Sequence, residues 1–175
     1  GFDTIDTVTI AKRVKIVGGK ITLPDGLTYR ALVLSPGIKT MTVETMGRIH
    51  ELVREGMVLI VNEPRPMETP SLTDYPKGDG EVARMAGDLW GEMDGVKVTE
   101  HGFGKGKVYW GGTMTEVLEG KMGVKKDFEA TARPGGAEVH YIHKRTAGAD
   151  IYFVANREQK GEELVCTFNV EGKVP

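Results

Sequence analysis

The residues of this chain best suited to chemistry lie in HYIHKRTAGADIYFVANREQ, residues 140–159 of 175. Two histidines, a Lys-Arg pair and Asn156 sit in a run whose alternation predicts a β-hairpin. His140 and His143 are three apart. On a helix they would be neighbours able to share a metal ion. On a strand that spacing sends them to opposite faces, so no shared metal is expected. Tyr141, His143 and Arg145 do share a face. That face reads as a polar surface, solvated or turned toward a neighbouring domain's ligand site.

Other chemistry-bearing segments have plainer explanations. GFGKGK (102–107) lacks the last glycine of a dinucleotide fingerprint and has no Gly-Lys-Ser/Thr. A strand pattern follows it, where a phosphate cradle needs a helix N-terminus, so it reads as a hairpin turn. Glu63, Glu68, Asp74 and Asp79 lie in or beside a long loop. Asp79 fits a helix N-cap and the others fit loop solvation. Cys166 falls at an inward position of an alternating strand and reads as a core thiol, not a nucleophile. Trp90 lies on an apolar helix face. Trp110 ends the strand VYWGG and is a candidate surface for stacking sugars.

The elements that must position these residues follow from periodicity. VKIVGGKITL (14–23) predicts a tight hairpin around Gly18-Gly19. YRALVLS (29–35) and MVLIV (57–61) have the continuous apolar character of buried parallel strands. Between them a helix is expected, with Thr42 as N-cap, Val43, Met46, Ile49, Leu52 and Val53 as its apolar stripe, and Gly56 as the stop. This strand–helix–strand unit predicts a parallel crossover. The Pro- and Gly-rich loop 62–80 leaves the carboxyl end of a strand, where open α/β sheets usually place their sites. A second helix from about Asp79 carries Val82, Met85, Ala86, Leu89 and Trp90 on one face. KVTEHGFGKGKVYWG (97–111) predicts two strands. A third helix starts at a capping-box spacing of Thr113 and Glu116, turns Met114, Val117, Leu118 and Met122 inward, and stops at Gly123. Beyond residue 124 the pattern is strands and turns only. Leu164, Cys166, Phe168 and Val170 alternate as a half-buried strand. The reading is an α/β domain over 1–124 and an antiparallel β segment over 125–175.

Composition narrows the partners. A formal net charge of −2, from 23 basic and 25 acidic residues, gives no electrostatic reason to expect nucleic acid or an anionic membrane. The apolar runs are too short to span a bilayer. No basic segment followed by an apolar block opens the chain, so no signal peptide is visible. One cysteine excludes an internal disulfide and a cysteine-based zinc site. No cofactor is implied.

The order of segments LPDGLTYRALVLSPGIKTMTVETMGRIHELVREGMVLIV, PSLTDYP, DGEVARMAGDLWG, GKGKVYWG and HYIHKRTAGADIYFVANR resembles the downstream part of α-L-rhamnosidase-type glycoside hydrolases. These are large multidomain bacterial enzymes. The last two segments carry the most specific likeness. In such enzymes an upstream barrel carries the chemistry, so the resemblance transfers no catalytic residue to this chain. The region itself resembles a class I glutamine amidotransferase-like domain, which implies a Rossmann/flavodoxin-like three-layer α/β fold. The amidotransferase nucleophile elbow is missing, because the sole cysteine is Cys166. GFDTID resembles a segment that follows an earlier strand, and FNVEGKVP resembles the start of a β-sandwich, so a fragment of a longer enzyme is expected. An exposed sheet edge could then drive dimerisation. The parent's localisation is left open, with a periplasmic or secreted enzyme compatible.

The expectation is therefore a non-catalytic ancillary module whose partner is the upstream barrel. Tyr141, His143, Arg145, Asn156 and Trp110 are its candidate substrate-cleft or interdomain contacts. The alternatives are a carbohydrate-binding module using Trp110 and the 62–80 loop, or a small self-sufficient hydrolase with two carboxyls converging about 5 to 9.5 Å apart.

Overall fold

The computed structural model describes residues 2–132 and 138–172. The turn expected within 133–137 and the tail 173–175 lie outside the described residues. The chain divides into two compact units, residues 1–113 and 114–175. The division falls ahead of the third helix, where a boundary after residue 124 was expected, so that helix belongs with the β segment.

In the first unit, a short helix α1 (Thr7–Lys12) precedes β1 (Lys15–Val17), β2 (Lys20–Thr22) and β3 (Thr28–Tyr29). These three strands form an antiparallel sheet in chain order. Gly18 and Gly19 take φ of 56° and 73°, which lets the β1–β2 turn follow the strands' own twist. Then come β4 (Leu32–Val33), α2 (Val43–Glu55), β5 (Val58–Val61), α3 (Lys77–Trp90), β6 (Glu100–Phe103) and β7 (Gly106–Trp110). The main sheet has the order β4-β5-β7-β6. β4, β5 and β7 run parallel, and β6 returns antiparallel against β7. The expected strand over 29–35 is thus shorter and split. Tyr29 pairs with Ile21 in the antiparallel sheet, and its hydroxyl donates to Asp3 (2.7 Å). Only Leu32 and Val33 join the parallel sheet.

Helix α2 matches its local signals. The Thr42 hydroxyl accepts the Thr45 N–H at 3.2 Å, and Gly56 closes the helix with φ of 128°. Met46, Ile49, Leu52 and Val53 are all 1% exposed or less. Each buried side chain of this size contributes roughly 1.5–3 kcal/mol. They form one core with Val82, Met85, Ala86 and Leu89 of α3 and with Leu59, Val61 and Val108 of the sheet. Polar ties flank this core. His50 of α2 sits 3.0 Å from an Asp88 carboxylate oxygen of α3, and His101 of β6 approaches the Asp88 backbone carbonyl (3.1 Å). Arg48 donates to the Val14 carbonyl at 2.8 Å, fixing α2 to the segment entering β1.

Helix α3 begins at Lys77 with Pro76 in the cap position, three residues before the expected N-cap Asp79. Asp79 lies in its first turn, and its carboxylate accepts both the N–H (2.8 Å) and the hydroxyl (2.7 Å) of Thr69. It pins the 62–80 loop onto the helix. These bonds hold the Asp79 carboxyl below its ordinary pKa.

In the second unit, a π-helical segment (Glu116–Lys121) is followed by β8 (Phe128–Ala132), β9 (Val139–Arg145), β10 (Asp150–Asn156) and β11 (Leu164–Phe168). Val117 is buried, Leu118 and Met122 are half-buried, and Met114 is exposed, contrary to the inward position expected for it. A π-helix takes more residues per turn than the α-helical spacing assumes, so the apolar phase drifts. β8 pairs with β11 and β9 with β10, each pair antiparallel. Leu164 and Cys166 are half-buried as the alternation implies, whereas Phe168 is 42% exposed and Val170 lies beyond β11. Among the described residues no helix is long and apolar enough to cross a membrane.

Two expected outcomes follow from the first unit. A methyl group on Gly106 would overlap the Val53 and Met57 carbonyl oxygens, whereas one on Gly87 meets nothing within 4 Å. Thermal melts should show Gly106→Ala destabilised by about 2 kcal/mol or more, and Gly87→Ala in mid-helix stabilised by about 0.5–1 kcal/mol. In the loop before β6, the Asp94 carboxylate accepts the N–H groups of Val96 (2.9 Å), Lys97 (2.7 Å) and Val98 (2.8 Å), which lowers its pKa. Its contribution is complete above the ordinary carboxylate pKa and is lost as pH falls through the depressed folded value. The stability gap between the native chain and Asp94→Asn, followed by denaturant titration, should therefore narrow as pH falls through that window.

Candidate functional site

Strands β9 and β10 pair in a register that sets Tyr141 opposite Val154, His143 opposite Tyr152, Arg145 opposite Asp150, and Val139 opposite Asn156. Strand parity therefore places Tyr141, His143, Arg145 and Asn156 on one face of the hairpin, and His140 on the other. Trp110 lies in the first unit, at the end of β7.

That face is engaged within its own unit. His143 has a 14% exposed side chain and carboxylates on both sides. Its Nδ1 lies 2.9 and 3.0 Å from the two Asp127 oxygens, and its Nε2 lies 2.8 Å from Asp150 Oδ1. A carboxylate only accepts, so both contacts are hydrogen bonds at once when the imidazole is doubly protonated. Tyr152 stacks on the ring at 4.0 Å and 12°, and its hydroxyl donates to Asp127 Oδ1 at 3.0 Å. Arg145 Nε donates to the same Asp150 oxygen at 2.6 Å. Burial first, and then the bond to Asp127, raise the Tyr152 pKa. The bond to Asp150 raises that of Arg145. Beside this network Phe128 packs on Tyr141 (4.7 Å) and Phe168 (5.2 Å), and Tyr152 meets Phe168 edge-on (4.8 Å). The face expected to be a polar surface is thus, at His143, an inward-turned lock between the hairpin, Asp127 and β8–β11.

The remaining candidates have local work. Asn156 closes the turn after β10, donating to the Lys160 carbonyl (2.8 Å) and accepting the Glu158 N–H (2.8 Å). Trp110 is half-buried against the core of its unit, and a methyl group on Gly95 would come within 3.0 Å of its indole. The backbone at Gly95 thus covers part of the ring that a stacked sugar would use. Among the described residues no group of three or more His, Cys, Asp or Glu side chains is arranged to hold a metal ion. A shallow depression of about 280 Å³ lies over the 68–79 loop, next to Glu68, Tyr75 and Asp79, but the Asp79 carboxylate is occupied by Thr69.

Asp127, Asp150 and Tyr152 were not singled out from the sequence. Asp150 and Tyr152 follow from the hairpin register once the turn is placed. Asp127 has no such signal, because it reaches His143 from outside the hairpin.

Comparison with known proteins adds three findings. The sequence model of the alpha-L-rhamnosidase family matches residues 1–175. A curated relative from Formosa agariphila, provisionally named a beta-glucuronidase, is 30% identical over 160 residues, which is 91% of this chain and 12% of that protein. The solved rhamnosidase of Novosphingobium sp. PP1Y superposes with a TM-score of 0.78 at 25% identity, covering 97% of this chain and 15% of its own. The chain thus spans about an eighth of that curated relative.

The clamp predicts a defined loss. His143→Ala leaves Asp150, with its 6% exposed side chain, without one of its donors. The expected cost is about 1–3 kcal/mol, read by denaturant titration. Faster amide exchange should be concentrated in 139–156.

Proposed function

Since the chain belongs to the α-L-rhamnosidase family of glycoside hydrolases, we propose that it is a non-catalytic, ancillary module standing beside the catalytic barrel of a longer rhamnosidase-type enzyme. The observation that carries this reading is coverage. The family match takes in the whole chain, while the chain accounts for 12% and 15% of the two larger proteins it resembles.

The site geometry supports a structural role. Glycoside hydrolysis needs one carboxyl group free to give a proton and a second free to act as base or nucleophile. Asp127 and Asp150 are both committed to His143, and Asp79 to Thr69. An oxygen fixed in this way holds the chain together and is not poised against a sugar. We further propose that the first unit is a reduced Rossmann/flavodoxin-like layer of the class I glutamine amidotransferase-like kind. The succession of parallel β4, β5 and β7 with α2 and α3 between them supports that reading. Amidotransferase chemistry does not come with it, because Cys166 is half-buried within β11 and not in a strand-to-helix turn.

The test is hydrolysis of aryl glycosides, α-L-rhamnoside among them, by the purified chain. The expected result is no turnover together with a cooperative melt. Turnover that survives repurification and vanishes when a single carboxylate is replaced would overturn the proposal.

A further inference from the structure

The hairpin's second face differs from the clamped one. Ile142 and Phe153 are cross-strand partners, and Ile151 is the next residue on the same face. They are 69%, 67% and 52% exposed. Along β10 the alternation is therefore inverted with respect to water, while on β9 the same face carries Ile142 between His140 and Lys144. Polar His143 and Asp150 are turned inward, and large apolar side chains are turned out. A strand that needed only one covered face would carry polar residues on the other.

The second unit also has too little core to stand as a finished domain. Among its described apolar residues only Val117 is buried. Its strands are paired in twos, and a lone two-stranded ribbon is marginal in water. A contiguous apolar patch on such a scaffold marks a surface that another layer covers.

We infer that the Ile142–Ile151–Phe153 face is the docking surface of this module, and that its occupant is an apolar layer supplied by the remainder of the longer polypeptide. The inference rests on the reading of the chain as one module of a larger enzyme. The relatives fix the choice of occupant, since each carries several times more chain than is matched here. A neighbouring layer within one polypeptide is present at high effective concentration, so three large side chains can suffice where a separate partner would need a far larger interface. Docking thus uses the face opposite His143, whose two ring nitrogens already face Asp127 and Asp150.

The experiment is hydroxyl-radical footprinting of the 175-residue chain, at two concentrations, and of a longer rhamnosidase-type polypeptide containing it. Phe153 should be labelled in the short chain at both concentrations and protected several-fold in the longer one. Equal labelling in both would overturn the inference. So would protection in the short chain that grows with concentration, which would make a second copy the occupant. The double variant Ile142→Thr, Phe153→Ser gives an independent readout. It should lower the melting temperature of the longer polypeptide by several degrees and leave the short chain's unchanged, and no shift in either would also overturn the inference. Glycosidase turnover is not the readout, so a failed docking face and a failed ancillary role would be told apart.

Discussion

The first unit depends on the exclusion of water from one stripe of helix α2. Met46, Leu52 and Val53 are fully buried, and Ile49 nearly so. Everything that positions the sheet meets this stripe or the residues it packs against. The polar ties of His50 to Asp88 and of Arg48 to the Val14 carbonyl lie at the margins of that core. They set how neighbouring elements attach. The apolar contact supplies the larger driving force, since a net hydrogen bond contributes only about 0.5–1.5 kcal/mol against roughly 1.5–3 for each buried side chain.

The second unit is organised by a different principle. With little buried apolar area it relies on a directional network: one imidazole, two carboxylates, a phenol and a guanidinium, bordered by Phe128 and Phe168. Such a network specifies a unique arrangement, because any member displaced leaves another unsatisfied. It does not by itself supply the burial of a complete domain. A module that exposes Ile142, Ile151 and Phe153 and spends His143, Asp127 and Asp150 on one another suits a role in supporting a neighbour. Recognising a soluble ligand would call for free polar groups. The half-buried Trp110 and the occupied Asp79 point the same way for the first unit.

Local signals were legible where they agreed with one another. For α2, the Thr42 cap, the apolar spacing and the Gly56 stop all act within one helix, and the structure follows them residue for residue. The hairpin parity that separates His140 from His143 is equally local. The failures have physical causes. Asp79 has the residue type of an N-cap, but Thr69 captures its carboxylate and α3 starts three residues earlier. Met114 fits an α-helical stripe, but the helix widens. Tyr29 reads as part of a parallel strand until its pairing with Ile21 draws it into another sheet.

By itself, then, the sequence determined the two main helices, the hairpins and strand MVLIV, which side chains share a face, and the family likeness, because periodicity, caps and turns act over a few residues; helix α1 and the split of 29–35 were not in it. Only the tertiary structure decided that the His143 face is an inward lock with Asp127 as its anchor, sixteen positions away in the chain. It also decided that Ile142, Ile151 and Phe153 are the side left open. Spacing along a strand says that two faces differ. Which of them is buried depends on what folds against them, and a polar residue is drawn inward when partners from a distant segment satisfy every group it brings.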